Sequence, residues 1–123
     1  MGTKQRFSIA KRIKSFSHAF NGLKILLCEE HNSWIHVIAA ICALIAGFIL
    51  HISAIEWIVI ILCIALVFAL ELINSAIENI ADFVSPQKNE TIKKVKDLSA
   101  AAVLIAAIGA LIIGLIIIIK NYE

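Results

Sequence analysis

Five polar side chains recur on one face of a predicted helix that begins as an apolar run. The run, 57–70, has no charged residue, glycine or proline, and it continues without a break into Glu71. At about 100° per residue, five polar residues fall within roughly 60° of a common direction. They are Glu71, Asn74, Ser75, Glu78 and Asp82. Carboxylates at membrane depth are costly and mark functional sites, so this stripe predicts one. A helix end that leaves the bilayer would also account for Asp82 and, less well, for Glu78, but it accounts poorly for Glu71.

Paired carboxylates near lysine and arginine suit an anionic ligand that is held through a divalent cation. Proteins bind Mg²⁺ through one or two carboxylates together with substrate phosphates. Phosphoryl transfer also needs a base for the attacking hydroxyl. The sequence has no G-x-x-x-x-G-K-[ST], no G-x-G-x-x-G and no protein-kinase motif, and its five glycines are scattered. An ATP site in this chain would therefore be built from side chains and helix ends.

The composition is that of a small integral membrane protein. The chain has 123 residues, of which 61% are hydrophobic, and its mean hydropathy is +0.96. This leaves no length for a separate soluble nucleotide-binding domain, and we expect no nucleic-acid partner. Cys28, Cys42 and Cys63 lack zinc or redox spacing, so we expect reduced thiols that fill space.

The helical period and the apolar runs predict an all-α chain with a single domain, 1–123. An amphipathic helix at 5–30 has basic residues on one face and phenylalanine and leucine on another, which suits the membrane surface. Three membrane helices follow, at 34–52, at 54–84, which includes a cytoplasmic extension, and at 90–119, and Pro86 ends the second of them. Small residues at helical spacing predict packing faces on the first and third spans. They are Ala39, Ala43 and Gly47, and Ala102, Ala106, Ala110 and Gly114.

The distribution of positive charge predicts the orientation in the membrane. Six of the eleven lysines and arginines precede Trp34, and four more lie within 88–96. Both segments should be cytoplasmic, with the C-terminus outside. A span of about 20 residues then puts the hydrocarbon edge near Ile73. Glu71 is expected at that inner edge and Glu78 in the headgroup or aqueous layer. The stripe and the basic segment 88–96 are therefore both expected at the cytoplasmic face.

Three classes of function remain open at this point: an interfacial enzyme, a proton or cation transporter, and a scaffold subunit without chemistry. An intramembrane glutamate beside amide and hydroxyl groups could relay protons. Transport sites lie near the midplane, however, whereas Glu71 is expected at the edge, which favours the enzyme. His36 and His51 are expected to be interfacial residues and not metal ligands, and spacing alone makes Glu30 part of a solvated turn.

Two motifs in the second half of the chain resemble those of a known family. The first is Glu71-Leu-Ile-Asn-Ser-Ala-Ile-Glu78-x-x-x-Asp82, and the second is Lys96-Asp97-x-x-x-Ala-Ala-Val-Leu. They are similar to the signature of the prokaryotic diacylglycerol kinase family, which includes undecaprenol kinases. The resemblance implies a homotrimer of three-span protomers in the bacterial cytoplasmic membrane, with active sites shared between protomers. It also implies transfer of the γ-phosphate of ATP to a lipid hydroxyl, with Mg²⁺ as cofactor.

The resemblance also implies roles by position. Glu71 would be the catalytic base and Asn74 would support the geometry of the reaction, while Glu30 and Glu78 would hold the metal–nucleotide complex. Further nucleotide contacts are expected on the surface helix, in the loop after the second span and at the start of the last helix. They are Lys11, His18, Gln87, Lys88, Asn89, Lys96 and Asp97. Other features, including the stretch after Glu30, are more similar to the undecaprenol kinase branch, and the acceptor stays open between diacylglycerol and undecaprenol.

Overall fold

The computed structural model of the protein describes residues 8–122, and its regular structure over that range is entirely helical. Four α-helices follow one another: α1 (Ile9–Glu29), α2 (Ser33–Leu50), α3 (Ala54–Val84) and α4 (Glu90–Asn121). The prediction of an all-α chain is confirmed for these residues. By length and composition, α2, α3 and α4 are each able to cross a membrane. The first residues of the predicted surface helix, 5–7, lie outside the described residues.

Polar side chains fix where α1, α3 and α4 begin. Ser8 caps α1 by accepting a hydrogen bond from a backbone N–H of the first turn at 3.3 Å. Ser53 caps α3 through a reciprocal pair of bonds, in which its hydroxyl accepts from the N–H of Glu56 and the Glu56 carboxylate accepts from the N–H of Ser53. Asn89 caps α4 by accepting from two N–H groups of the first turn. These bonds satisfy donors that a helix start would otherwise leave without partners, so the starting points are set locally.

The ends of α2 and α3 also have local causes. The residue after α2, His51, has a φ of 51°, which is the left-handed conformation in which many helices stop. α3 ends at Val84, and Pro86 follows two residues later. Proline has no backbone N–H to continue the helical hydrogen bonds, as the sequence predicted.

α3 is the central helix, and α4 packs antiparallel along it. Asp82 contacts Lys96 at one end of the pair, and Glu56 contacts Asn121 at the other. α2 also packs on α3, and α1 reaches α3 where the chain turns from α1 into α2. Every other helix therefore contacts the one that carries the polar stripe.

The small-residue line on α2 is used within the chain. At Gly47 a Cβ atom would lie 2.7 Å from Cη2 of Trp57 and 3.1 Å from Cδ1 of Ile52, so only glycine allows this approach of α2 to the start of α3. The line on α4 differs at Gly114, where a Cβ would meet nothing within 4 Å. Gly114 borders a groove between α2, α3 and α4, and that groove leaves room beside it.

Little apolar surface is buried within one chain. Ile52, Ile60 and Ile117 form a buried cluster near the connection between α2 and α3. Many large apolar side chains of α2, α3 and α4 are exposed, among them Phe48 at 72% and Ile105 at 72%. Exposed apolar faces on helices of spanning length suit contact with lipid.

A carboxylate is buried where the start of α3 meets the end of α4. Glu56 is 8% exposed. Its Oε1 accepts from the N–H of Ser53 at 2.9 Å, and its Oε2 accepts from Nδ2 of Asn121 at 3.0 Å and from Nζ of Lys120 at 3.4 Å. We call these four residues the Glu56 clasp. The clasp ties the first turn of α3 to the last turn of α4.

Candidate active site

The predicted stripe on α3 lies toward the opposite end of the helix from the Glu56 clasp. Glu71 and Ser75 are buried, at 7% and 8% exposed, Asn74 and Glu78 are half-buried, and Asp82, the last residue of the stripe, is exposed. The alignment of these side chains follows from the helical period. Their burial comes from the groups that α1, α2 and α4 place over them.

Glu30 lies beside the stripe, immediately after α1, with extended backbone at φ −108° and ψ 96°. The hydroxyl of the fully buried Ser33 donates to the carbonyl oxygens of Glu30 at 2.7 Å and of Leu26 at 3.2 Å, which holds the turn in place. Ser75 donates from Oγ to Oε1 of Glu30 at 3.0 Å. The interpretation of Glu30 as a solvated turn residue is therefore wrong, because its carboxylate is half-buried and bonded to α3.

Glu30 and Glu78 bring two carboxylates together. The charge of Glu30 acts on Glu78, as do those of Lys96, Asp82 and Glu71. Within residues 8–122, His, Cys, Asp and Glu side chains form no group of three or more that is arranged to hold a metal ion. A pair of carboxylates is nevertheless a donor set that suits Mg²⁺ when phosphates supply further oxygens. Glu30 and Glu78 fit such an ion by the chemistry of their donors.

Glu71 is the most enclosed carboxylate of the stripe, and an imidazole lies next to it. Nε2 of His36 is 3.9 Å from Oε1 of Glu71, and the two side chains are 18% and 9% exposed. The His36 ring also packs edge-on against Phe68, with centroids 6.4 Å apart. The sequence predicted only an interfacial role for His36. Its spacing from Ala39 and Gly47 places it on the packing face of α2, and that signal could have shown that it faces α3.

Asn74 is oriented by a residue that the sequence analysis did not select. Ser99, on α4, donates from Oγ to Oδ1 of Asn74 at 2.6 Å and lies 3.1 Å from the carbonyl oxygen of Lys96. Nζ of Lys96 is 2.8 Å from Oδ1 of Asp82. Lys96 and Ser99 thereby join the start of α4 to the stripe at two points, Asp82 and Asn74.

Within the described part of the chain, 8–122, the other expected nucleotide contacts make no recorded bond to the stripe. Asp97 pairs with Lys93 at 2.7 Å on the exposed face of α4. Lys11 and His18 are exposed on α1, and neither side chain takes part in the bonds that the structure records between α1 and α3 within residues 8–122. Three more of the expected contacts, Gln87, Lys88 and Asn89, lie in the connection between α3 and α4. Asn89 uses its side chain to cap α4.

The fold and the site define a small membrane protein with an acidic cluster at one end of its central helix. Comparison with known families places residues 17–118 in a family described as prokaryotic diacylglycerol kinase. The chain is 39% identical over 112 residues to the undecaprenol kinase of Bacillus subtilis, covering 91% of each chain. It is 30% identical to the diacylglycerol kinase of Escherichia coli K12, covering 89% of this chain and 90% of that one. It is 37% identical to the diacylglycerol kinase of Synechocystis, but spans 58% of that protein's length.

The chain belongs to the prokaryotic diacylglycerol kinase family. The matched range, 17–118, takes in α2 and α3, most of α1 and nearly all of α4. The chain is therefore an enzyme of the membrane, a phosphotransferase with an alcohol group as acceptor. The predicted family and the predicted class of enzyme are confirmed.

Proposed function

We propose that the chain transfers the γ-phosphate of ATP to the hydroxyl of a membrane lipid at the cytoplasmic face of the bacterial cytoplasmic membrane. The observation that carries this proposal is the hydrogen bond from Ser75 to Glu30. It joins α1 to α3, and so brings a carboxylate pair, Glu30 and Glu78, to the same cluster as the buried carboxylate of Glu71. Together these groups supply the two parts that phosphoryl transfer needs, a place for phosphate charge and a base.

Glu71 takes the proton of the lipid hydroxyl in this proposal. An enclosed carboxylate at the end of an apolar helix face can meet a lipid headgroup without extraction of the lipid from the membrane. The hydroxyl oxygen attacks the γ-phosphorus, the bond from phosphorus to the bridging oxygen of ADP breaks, and the hydroxyl proton goes to Glu71. Asn74, held by Ser99, lies three residues further along the same face of α3 and would support the geometry of the reaction.

Glu30 and Glu78 would hold Mg²⁺ together with the phosphates of ATP. The ion would neutralise the charge that develops on the transferred phosphoryl group. Lys96 would leave Asp82 for the nucleotide, and Asp97 would contact the nucleotide from the next position of α4. Lys11 and His18 on α1, and the connection 87–89, are proposed as the remaining nucleotide contacts.

The same helices support the proposed placement in the membrane. α1 leaves Ile13, Phe16 and Phe20 at least 64% exposed in the single chain, and these side chains would lie in the membrane surface. The whole chain, 1–123, would form one domain with a surface helix at 5–30 and spans at 34–52, 54–84 and 90–119. The excess of lysine and arginine at the N-terminus and at 88–96 supports a cytoplasmic site.

We also propose that the protein works as a homotrimer with sites shared between protomers. The room beside Gly114, in the groove between α2, α3 and α4, supplies a surface on which a neighbouring helix can pack closely. A single protomer surrounds its acidic cluster only in part. A second chain would then complete the enclosure of ATP and lipid.

Undecaprenol is the proposed acceptor. The support is the higher identity to the undecaprenol kinase of Bacillus subtilis, 39%, than to the diacylglycerol kinase of Escherichia coli K12, 30%. Diacylglycerol is the second candidate, because relatives that act on it match most of the chain as well.

The test offers both lipids to the purified protein with labelled ATP and Mg²⁺, and follows the label into lipid. We expect labelled undecaprenyl phosphate, with less or no labelled phosphatidic acid. Preference for diacylglycerol would correct the acceptor and keep the kinase. Ion flux through the wild-type protein without transfer of phosphate to either lipid would reject the kinase in favour of a transporter.

A further inference from the structure

The proposed reaction leaves a proton on an enclosed group. Each transfer moves one proton from the lipid hydroxyl to Glu71, and Glu71 must lose that proton before the next lipid can react. The carboxylate is 7% exposed, so bulk water has little direct access to it. A second group that passes the proton on would remove this obstacle.

His36 is placed to do this. Its Nε2 is 3.9 Å from Oε1 of Glu71, slightly beyond hydrogen-bond length, so that a small side-chain rotation joins the two atoms. The ring is fixed edge-on against Phe68. Its side chain is 18% exposed, twice the 9% of the Glu71 side chain. Within the single chain, the imidazole is thus less enclosed than the carboxylate that it faces.

His36 itself has few polar neighbours in the groove beside it. His36 stands at one end of a groove of about 450 Å³ between α2, α3 and α4. The groove residues near it are apolar or small, including Ala39 and Ala40 of α2 and Ala107 of α4. The charged group that faces His36 from α3 is Glu71.

We infer that His36 is a positioning and relay residue, which accepts at Nε2 the proton that Glu71 has taken from the lipid hydroxyl. The step turns neutral imidazole into imidazolium and restores the Glu71 carboxylate. The imidazolium then loses a proton to water, and no other reactant is consumed. Imidazole exchanges protons readily near neutral pH, which suits a group that must charge and discharge once in each turnover. This inference rests on the proposed kinase function.

Substitution of the ring should lower turnover and leave nucleotide affinity intact. His36→Gln keeps a polar side chain of similar length but cannot take up the proton, so we expect kcat for lipid phosphorylation to fall about 10²-fold. The KM for Mg–ATP should stay within twofold of wild type. A matched control is His51→Asn, at the exposed far end of α2, where asparagine tolerates the left-handed backbone; it should keep wild-type kcat.

Chemical rescue separates proton transfer from packing. His36→Ala opens space that is continuous with the groove. Added imidazole should raise the kcat of this variant at least tenfold. Pyrazole has the same size and shape but is a much weaker base, and we expect no rescue by it. Equal rescue by the two compounds would show that the ring only fills space and would overturn the inference.

Wild-type kcat in His36→Gln would also overturn the relay. Failure of the relay and failure of the proposed function give different results in this assay. If wild type phosphorylates lipid and Glu71→Gln does not, the kinase proposal stands whatever His36→Gln does. If wild type phosphorylates neither lipid, the proposed function fails first.

Discussion

The two buried carboxylates of α3 have opposite surroundings. Glu56 and Glu71 are 8% and 7% exposed. Both oxygens of Glu56 accept hydrogen bonds from the chain, at 2.9 to 3.4 Å. Within residues 8–122, Glu71 accepts no such bond, and the imidazole beside it, that of His36, stands at 3.9 Å. Burial alone therefore does not identify a reactive carboxylate.

The difference lies in what remains to be bonded. A carboxylate can accept about four hydrogen bonds, and in Glu56 that capacity is used to join α3 to α4. In Glu71 it remains available to a proton that arrives with a substrate. The Glu56 clasp is thus expected to support folding, and the cluster around Glu71 to support chemistry. The same helix serves both purposes at different points along its length.

The sharpest test of this contrast substitutes each carboxylate by its amide. Glu71→Gln keeps size and polarity but removes the base, so lipid phosphorylation should fall by about 10² to 10⁴-fold with little change in Tm. Glu56→Gln should keep lipid phosphorylation within a few-fold of wild type when assayed below its Tm. A Glu71→Gln variant with normal turnover would end its assignment as the base.

Removal of the clasp should cost stability. Glu56→Ala leaves the side chains of Lys120 and Asn121 and the N–H of Ser53 without their shared acceptor. Loss of these hydrogen bonds to a charged group lowers the stability of the folded protein, so we expect Tm in detergent to drop by several degrees. Thermal unfolding followed by circular dichroism measures this. Unchanged Tm together with lost kinase activity would mean that the two carboxylates share a functional role.

Crowding of the contact between α2 and α3 should also lower the stability of the protein. In Gly47→Ala the new methyl group would lie 2.7 Å from Cη2 of Trp57, and such overpacking costs about 1–3 kcal/mol. Gly109→Ala is the matched control, because nothing lies within 4 Å of its Cβ position. Alanine is the better helix former, so the control should gain up to about 1 kcal/mol. A neutral Gly47→Ala would show that α2 moves away from α3 without penalty.

The smallest expected effect concerns the bond between α1 and α3. Ser75→Ala removes the donor to Oε1 of Glu30, and a hydrogen bond to a charged group contributes about 1.5–3 kcal/mol at most. Because Glu30 then loses its fixed position in the cluster, the KM for Mg–ATP should rise about fivefold, while kcat changes less than twofold. Steady-state kinetics with ATP varied at saturating lipid measures both. An effect on kcat alone would place Ser75 with the base and not with the carboxylate pair.

Features set by neighbouring residues were predictable from the sequence, and those set between helices were less so. The alignment of Glu71 with Glu78 follows from 3.6 residues per turn, and the end of α3 before Pro86 follows from the missing N–H of proline. The contact of Glu30 with Ser75 joins residues 45 positions apart. Spacing cannot give that distance, because it depends on the register between α1 and α3. Only the resemblance to a family placed Glu30 in the site.

The same limit explains the residues that the sequence analysis did not select. Ser99 meets Asn74 across the α3–α4 contact, and Glu56 meets Asn121 from 65 positions away. Apolar periodicity shows which face of a helix is covered, but not which polar residue on the facing helix stands opposite. His36 was the exception that could have been found, because its face was already defined by Ala39 and Gly47.

The most direct test of the central claim measures Mg–ATP binding and phosphate transfer side by side in two variants. Isothermal titration gives the Kd for Mg–ATP, and labelled ATP gives the transfer to lipid. Glu71→Gln should bind Mg–ATP within a few-fold of wild type and transfer almost no phosphate, because the nucleotide site is intact and the base is absent. Glu78→Gln should weaken Mg–ATP binding about tenfold or more, because half of the carboxylate pair is lost. If Glu71→Gln instead lost Mg–ATP binding and Glu78→Gln kept it, the division of the stripe into a base and a metal–nucleotide site would be contradicted.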